Sequence, residues 1–205
     1  MHIVDGALSN PVLLGGAALA VGGIAMGLKK LPLERIPAAG VLSASFFVAS
    51  LIHVPIGPSS VHLILNGLAG LVLGWAAFPA LFVGLLLQAV FFGFGGLTVL
   101  GVNAINIAGP AVLAGLIFGH LVARGSPMQG AIWGGIGGGF AIAVTTLAVA
   151  FSLALSGDEF IPAAKLVFVA HIPVIIIEAL LSGAAIFLAR RVKPELFAGS
   201  KGGWT

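Results

Sequence analysis

Long apolar runs broken only by short polar punctuation leave this chain one class of fold. From Pro11 to Leu28 no side chain carries a charge, and the run stops at Lys29-Lys30. Such a run is close to the roughly 20 residues that take a helix across a bilayer. Similar runs follow at about 37–53, 62–75, 80–92, 105–122, 129–155 and 162–188. Of all residues 60% are hydrophobic and 7% charged, against about 25% charged in a soluble domain. A water-soluble globule is excluded. The 31 glycines point the same way, because small residues let membrane helices approach closely. The expected class is an all-α integral membrane protein of about seven transmembrane helices. One membrane-embedded domain should fill residues 1–205, with an N-terminal segment at 1–10, a helical bundle at 11–190 and a cytoplasmic tail at 191–205.

The punctuation orients the spans. Ser9-Asn10-Pro11 reads as a helix start, a capping side chain followed by proline at the first helical position. Positive charge lies behind the first run, whereas a cleaved signal peptide carries it in front. With the N-terminus outside, Lys29, Lys30, Arg35, Arg124, Arg190, Arg191, Lys193 and Lys201 face the cytoplasm and Lys165 alone lies near the outer side. That is the bias the positive-inside tendency requires. The C-terminus is then cytoplasmic. Two prolines and a glycine make 54–60 a rigid loop, and the glycine-dense stretch 93–103 reads as backbone packed into protein at the membrane edge. Gly16/Ala20, Ala18/Gly22 and Gly23/Gly27 give the first span faces fit for close packing.

The N-terminal segment and the outer loops converge, and there the chemistry gathers. The chain has no cysteine, so a metal site must use N or O donors. A free α-amine at Met1, the backbone nitrogen of His2 and the His2 imidazole can close two fused chelate rings around one divalent ion. Planar nitrogen coordination of this kind suits nickel or copper over magnesium or calcium. The plain alternative is that Met-His is an accident of the start. His62, at the outer start of a span, is the candidate fourth ligand. His53 competes with it or bonds a loop carbonyl, and His120 reads as a polar interface residue. His171 and Glu178 are two helical turns apart and share a face. Ionisable groups inside a membrane usually face a bundle interior, a partner or a pathway; pairing with a neighbouring helix is favoured here over a transport role.

Met1-His2-Ile3-Val4-Asp5-Gly6, Pro58-Ser59-Ser60-Val61-His62 and the run Gly95-Gly96-Leu97-Thr98-Val99-Leu100-Gly101-Val102-Asn103 occur in that order, and His171-Ile172-Pro173 with Glu178 follows in the last span. Together these resemble the M subunit family (CbiM/NikM) of energy-coupling-factor cobalt and nickel transporters, over nearly the whole chain. The resemblance implies that Met1, His2 and His62 hold the metal. It further implies that the glycine-rich loop and Asn103 brace the N-terminal segment, with Asp5 at the family's acidic position; His53 stands beside them as a further surrounding residue. Val4 and the apolar Leu63-Ile64-Leu65 depart from the family pattern without removing a ligand.

What the resemblance implies is the substrate-capture component of an ATP-driven importer in a bacterial or archaeal plasma membrane. The transported substrate would be Co2+, feeding cobalamin biosynthesis, with Ni2+ as the alternative; no cofactor is expected. No Walker-type phosphate loop occurs in the sequence, so the chain is not expected to be an enzyme and needs partners. Those are a membrane coupling (T) subunit, ATPase subunits and a small additional membrane (N) subunit. A metal-dependent intramembrane hydrolase would need a general base such as Asp5 or Glu178, and no HExxH-like spacing supports it. A purely structural membrane subunit explains the spans but not the gathering of His2, His62 and Asn103.

Overall fold

The computed structural model describes residues 2–56 and 59–198. Met1 lies outside the described residues, as do Gly57, Pro58 and the tail from 199, including Lys201. The order is α1 (Asn10–Lys29), α2 (Ile36–Ala49), β1 (His53–Ile56), β2 (Ser59–His62), α3 (Asn66–Leu73), α4 (Ala77–Phe92), α5 (Leu100–Ala123), α6 (Pro127–Ala154), α7 (Ile161–Ala170), α8 (Ile172–Val192) and α9 (Glu195–Ala198). Among the described residues, five segments are long and apolar enough to cross a membrane: Asn10–Lys29, Asn66–Phe92, Leu100–Ala123, Pro127–Ala154 and Ile172–Val192. The protein is a mostly helical, multi-pass membrane protein.

It is not all-α. The stretch expected as a rigid loop forms an antiparallel hairpin in which His53 pairs with His62 and Val54 with Val61. Extended backbone is what prolines at 55 and 58 favour. A second departure concerns Asn66–Phe92. Gly70 of α3 packs on Ala111 of α5, and Asn66 Nδ2 donates to Ile107 O at 2.8 Å, so α3 runs parallel to α5. Gly84 of α4 packs on Phe46, and Gln88 bonds Ser50, so α4 runs parallel to α2. The start of α5 lies against Ala17 of α1, and its end is bonded by Arg190. The start of α2, by contrast, follows the end of α1, and Arg35 there bonds Val72 at the end of α3. Hence α3 and α4 run in opposite directions around a turn at Gly74, whose φ of 58° favours glycine.

The expected last span is broken. Pro173 has no N–H for Val169 O and its ring would crowd that carbonyl, so the helix ends at Ala170 and α8 begins at Ile172. The buried face of α5 passes through Ala111, Gly115, Gly119 and Val122; His120 is exposed, so the described residues supply no interface for it.

Glycine sets how closely the helices approach. A Cβ at Gly135 of α6 would come within 3.0 Å of Ala179 O of α8, and one at Gly183 of α8 within 3.0 Å of Ala131 O. At the end of the bundle away from His2, two arginines satisfy helix-terminal carbonyls. Arg35 donates to Val72 O at 3.2 Å and Leu196 O at 3.4 Å; Arg190 donates to Val122 O, and to Gly125 O at 2.7 Å. Cationic donors at helix C-termini complete the orphan carbonyls and oppose the dipole.

The packing makes a prediction. A Cβ at Gly70 would overlap the Ala111 carbonyl, whereas one at Gly15 meets nothing within 4 Å. Gly70→Ala should destabilise the bundle by about 1–3 kcal/mol through overpacking, lowering the melting temperature in detergent. Gly15→Ala should leave it unchanged; equal melting of the two proteins would contradict the assigned packing.

Candidate metal centre

The N-terminal segment lies folded onto the end of the bundle. Asn103, in the first turn of α5, pairs its side-chain amide with the peptide groups of Ile3: Ile3 N donates to Oδ1 at 2.9 Å and Nδ2 donates to Ile3 O at 3.0 Å. Asp5 N donates to Gly95 O at 2.9 Å, and Thr98 Oγ1 donates to Asp5 Oδ1 at 2.5 Å. Gly95 and Gly96 have φ of 77° and 130°, open to glycine and strained for other residues. A Cβ on Gly96 would also strike the Asp5 carboxylate, and one on Gly95 would lie 2.7 Å from Asn103 Nδ2. Glycine is required there because the N-terminal segment passes directly over this backbone.

This clamp delivers His2 into the bundle, where it is 4% exposed, beside His62, also 4% exposed. The rings stack, with centroids 4.8 Å apart and planes inclined by 22°. His62 Nε2 lies 3.2 Å from His2 Nδ1. The other ring nitrogens assign the protons. His62 Nδ1 is 2.8 Å from Leu63 O, a carbonyl that can only accept, so Nδ1 carries the proton and Nε2 does not. For His2 the assignment passes through Gln88. Ser50 Oγ donates to Phe47 O at 3.0 Å, so it accepts from Gln88 Nε2. That turns Gln88 Oε1 toward His2 Nε2 at 2.7 Å. Nε2 therefore donates, and Nδ1 is unprotonated. Two nitrogen lone pairs converge.

The separation suits a shared ion. Two nitrogens bonded to one metal at about 2.0–2.1 Å and at roughly a right angle stand about 2.9 Å apart; the observed 3.2 Å differs by a few tenths of an ångström. Nδ1 is also the ring nitrogen that a chelate through the backbone nitrogen of His2 must use. Burial holds the His2 ring well below its usual value of 6.5, at about 3, with Gln88 pulling the other way; burial likewise holds His62 well below its usual value. Both rings are thus kept in the form that can ligate.

Other expected residues fall around this pair. His53 is the strand partner of His62, and its ring contacts lie elsewhere. The ring lies 3.4 Å from Leu51 O through Nδ1 and meets Phe94 edge-on at 4.3 Å, while Phe94 in turn lies 6.3 Å from His2. Asp5 is exposed and holds the loop rather than a ring nitrogen. His171 turns Nδ1 to Val167 O in its own segment at 2.6 Å. Among the described residues Glu178 bonds the segment after β2 and not a neighbouring helix side chain; its Oε1 accepts from Ile64 N, and from Leu65 N at 2.8 Å. Sequence reasoning missed Gln88 and Ser50. The signal for Gln88 was present, a lone amide in the uncharged run 80–92.

The family described as the cobalt uptake substrate-specific transmembrane region, CbiM, matches residues 2–196. The chain belongs to the CbiM family. It is 45% identical over 198 residues to a Haemophilus influenzae protein named for metal transport, covering 96% of each chain. A cobalt transport protein CbiM of Sorangium cellulosum is 27% identical over 215 residues, covering 96% of this chain and 94% of that one. A fused nickel transport protein NikMN of Rhodobacter capsulatus is 38% identical over 122 residues, which is 56% of this chain and 35% of that longer protein. Among solved structures, a truncated transition metal transporter superposes with a TM-score of 0.73 at 26% identity, covering 93% of this chain and 99% of that one.

Proton linkage gives a testable sign. With His2 at about 3 when docked and 6.5 when released, the released state binds more protons between those values. Docking therefore weakens as pH falls below about 6.5. In the metal-free protein, hydrogen exchange at the Ile3 and Asp5 amides, corrected for intrinsic rates, should lose protection from pH 7 to pH 5. Protection that is constant or rises on acidification would contradict the burial of neutral rings.

Proposed function

We propose that this chain is the substrate-capture subunit of an ATP-driven energy-coupling-factor importer, binding one Co2+ at the outer face of the plasma membrane. The observation that carries the reading is the convergence of His2 Nδ1 and His62 Nε2, 3.2 Å apart on two buried rings, which the hydrogen bonds on the far side of each ring assign as unprotonated. The Met1 amine and the His2 backbone nitrogen would complete a planar four-nitrogen set, His62 standing opposite the backbone nitrogen and beside Nδ1.

The topology proposed with it has seven membrane segments, α1 through α6 and α8, with the N-terminus outside; α3, at eight residues, enters from the outer face and hands over to α4 without spanning the bilayer itself. Lys29, Arg35, Arg124 and Arg190 then fall at the cytoplasmic end and His2, His62 and Asn103 at the outer end, in keeping with the positive-inside tendency. ATP chemistry is assigned to separate ATPase subunits acting through a membrane coupling (T) subunit. A small additional (N) subunit is supported by fused relatives whose names join M and N. Nickel is the second reading: planar nitrogen donors suit it, and Ni2+ stands above Co2+ in the first-row affinity order.

The test is metal binding by the purified full chain with its native N-terminus, compared with His2→Ala, His62→Ala and a protein extended by one residue before Met1. The native protein should hold one ion per chain, Co2+ or Ni2+. Each change should weaken binding by about 100-fold or more, since loss of even an outer partner costs 10–100-fold. Native affinity in the extended protein would remove the amine from the site, and native affinity in both histidine variants would overturn the reading.

A further inference from the structure

Glu178 is an ionisable residue wholly inside the bundle, 0% exposed on α8, and the ligand set does not use it. It is the kind of group that membrane interiors keep only for a reason. Its Oε1 takes two consecutive backbone N–H groups, those of Ile64 and of Leu65. These residues follow β2, which ends in His62, with Leu63 alone between.

The peptide between Leu63 and Ile64 is bonded on both sides. Its N–H donates to Glu178 Oε1, and its C=O accepts from His62 Nδ1 at 2.8 Å. Because a peptide unit is planar and stiff, pinning its N–H fixes the direction of its carbonyl. That carbonyl is the acceptor that keeps the proton on Nδ1 and leaves Nε2 unprotonated toward His2. The neighbouring Leu65 has φ of 56°, a conformation that a bulky residue adopts only when its surroundings over-determine it. The second hydrogen bond from Leu65 N to Glu178 supplies that constraint. Gly67 and Gly138 allow the approach, since a Cβ on Gly67 would come within 2.7 Å of Gly138 Cα and one on Gly138 would reach Ser182, one turn beyond Glu178.

We infer that Glu178 is a positioning residue for His62: through the Leu63–Ile64 peptide it fixes the tautomer and direction of the ring that faces the ion. The inference rests on the proposed metal centre. Ligating histidines characteristically donate their second nitrogen to a carbonyl or carboxylate, and loss of such partners costs 10–100-fold in affinity; here the carbonyl itself has a dedicated support from another helix.

The probe is Ni2+ with the purified full chain, reading both affinity and the visible d–d spectrum for native protein, His62→Ala, Glu178→Gln, Glu178→Asp and Glu178→Leu. Glu178→Gln keeps an oxygen able to accept both N–H groups and should bind with the native spectrum and near-native affinity. Glu178→Asp draws the oxygen back by one methylene and Glu178→Leu removes it. Both should bind about 10- to 100-fold more weakly, with a spectrum shifted toward that of His62→Ala, a signature that loss of stability alone does not give. If Glu178→Leu does not fold, Glu178→Asp decides. A native spectrum and affinity in Glu178→Asp, or a Glu178→Gln that behaves like His62→Ala, would overturn the positioning role while leaving the metal centre intact. A native spectrum in His62→Ala would instead overturn the metal centre, and the inference with it.

Discussion

Two unprotonated imidazole nitrogens facing each other at 3.2 Å inside an apolar bundle set the terms for the rest of the molecule. Ordinary hydrogen bonding would place a proton between them. Here each ring has given its proton to the opposite side, His62 to Leu63 O and His2 to Gln88 Oε1. Burial works against restoring one, because charging an imidazole away from water is costly. What is left is a pair of imidazole nitrogen donors, a ligand type that suits nickel or copper over calcium or magnesium.

Keeping those protons in place takes hydrogen bonds from most of the bundle. Gln88 of α4 is oriented by Ser50, just past the end of α2. Asn103 of α5 holds Ile3, and Gly95 and Thr98 hold Asp5. Glu178 of α8 secures the backbone after His62. The N-terminal segment is thus seated by side chains from separate helices, and the pocket exists only when those helices are assembled. The hairpin contributes the matching piece, presenting His62 on β2 and placing His53 on the paired strand near Phe94. Glycines make the seat possible by letting the incoming segment lie directly on the 95–96 backbone.

Much of this was written plainly in the sequence, and the exceptions have physical causes. The uncharged runs and their basic ends announced membrane helices, and α1 and α6 begin and end within two residues of where the polar punctuation puts them, whereas α5 starts five residues early, at Leu100, inside the stretch read as loop. The 53–62 hairpin was hidden because its prolines signal a rigid loop as strongly as a strand, and the two halves pair through backbone, which leaves no side-chain pattern. The break at His171 was legible only in Pro173, since the flanking residues are uniformly apolar. In the site, His2, His62 and Asn103 stood out as polar residues at the ends of apolar runs. Gln88 did not, because an amide within a span reads as packing until its partners are known. Glu178 was conspicuous, yet its partner was unreadable: the groups it bonds are backbone N–H groups of Ile64 and Leu65, which have no signature in sequence.

X-ray absorption at the nickel edge of the Ni2+-loaded protein tests most directly whether two imidazoles share one ion. The predicted result is a planar four-nitrogen site whose outer-shell scattering requires two imidazole rings, falling to one ring in His62→Ala. A site dominated by oxygen donors, or one whose imidazole count does not change in His62→Ala, would contradict it.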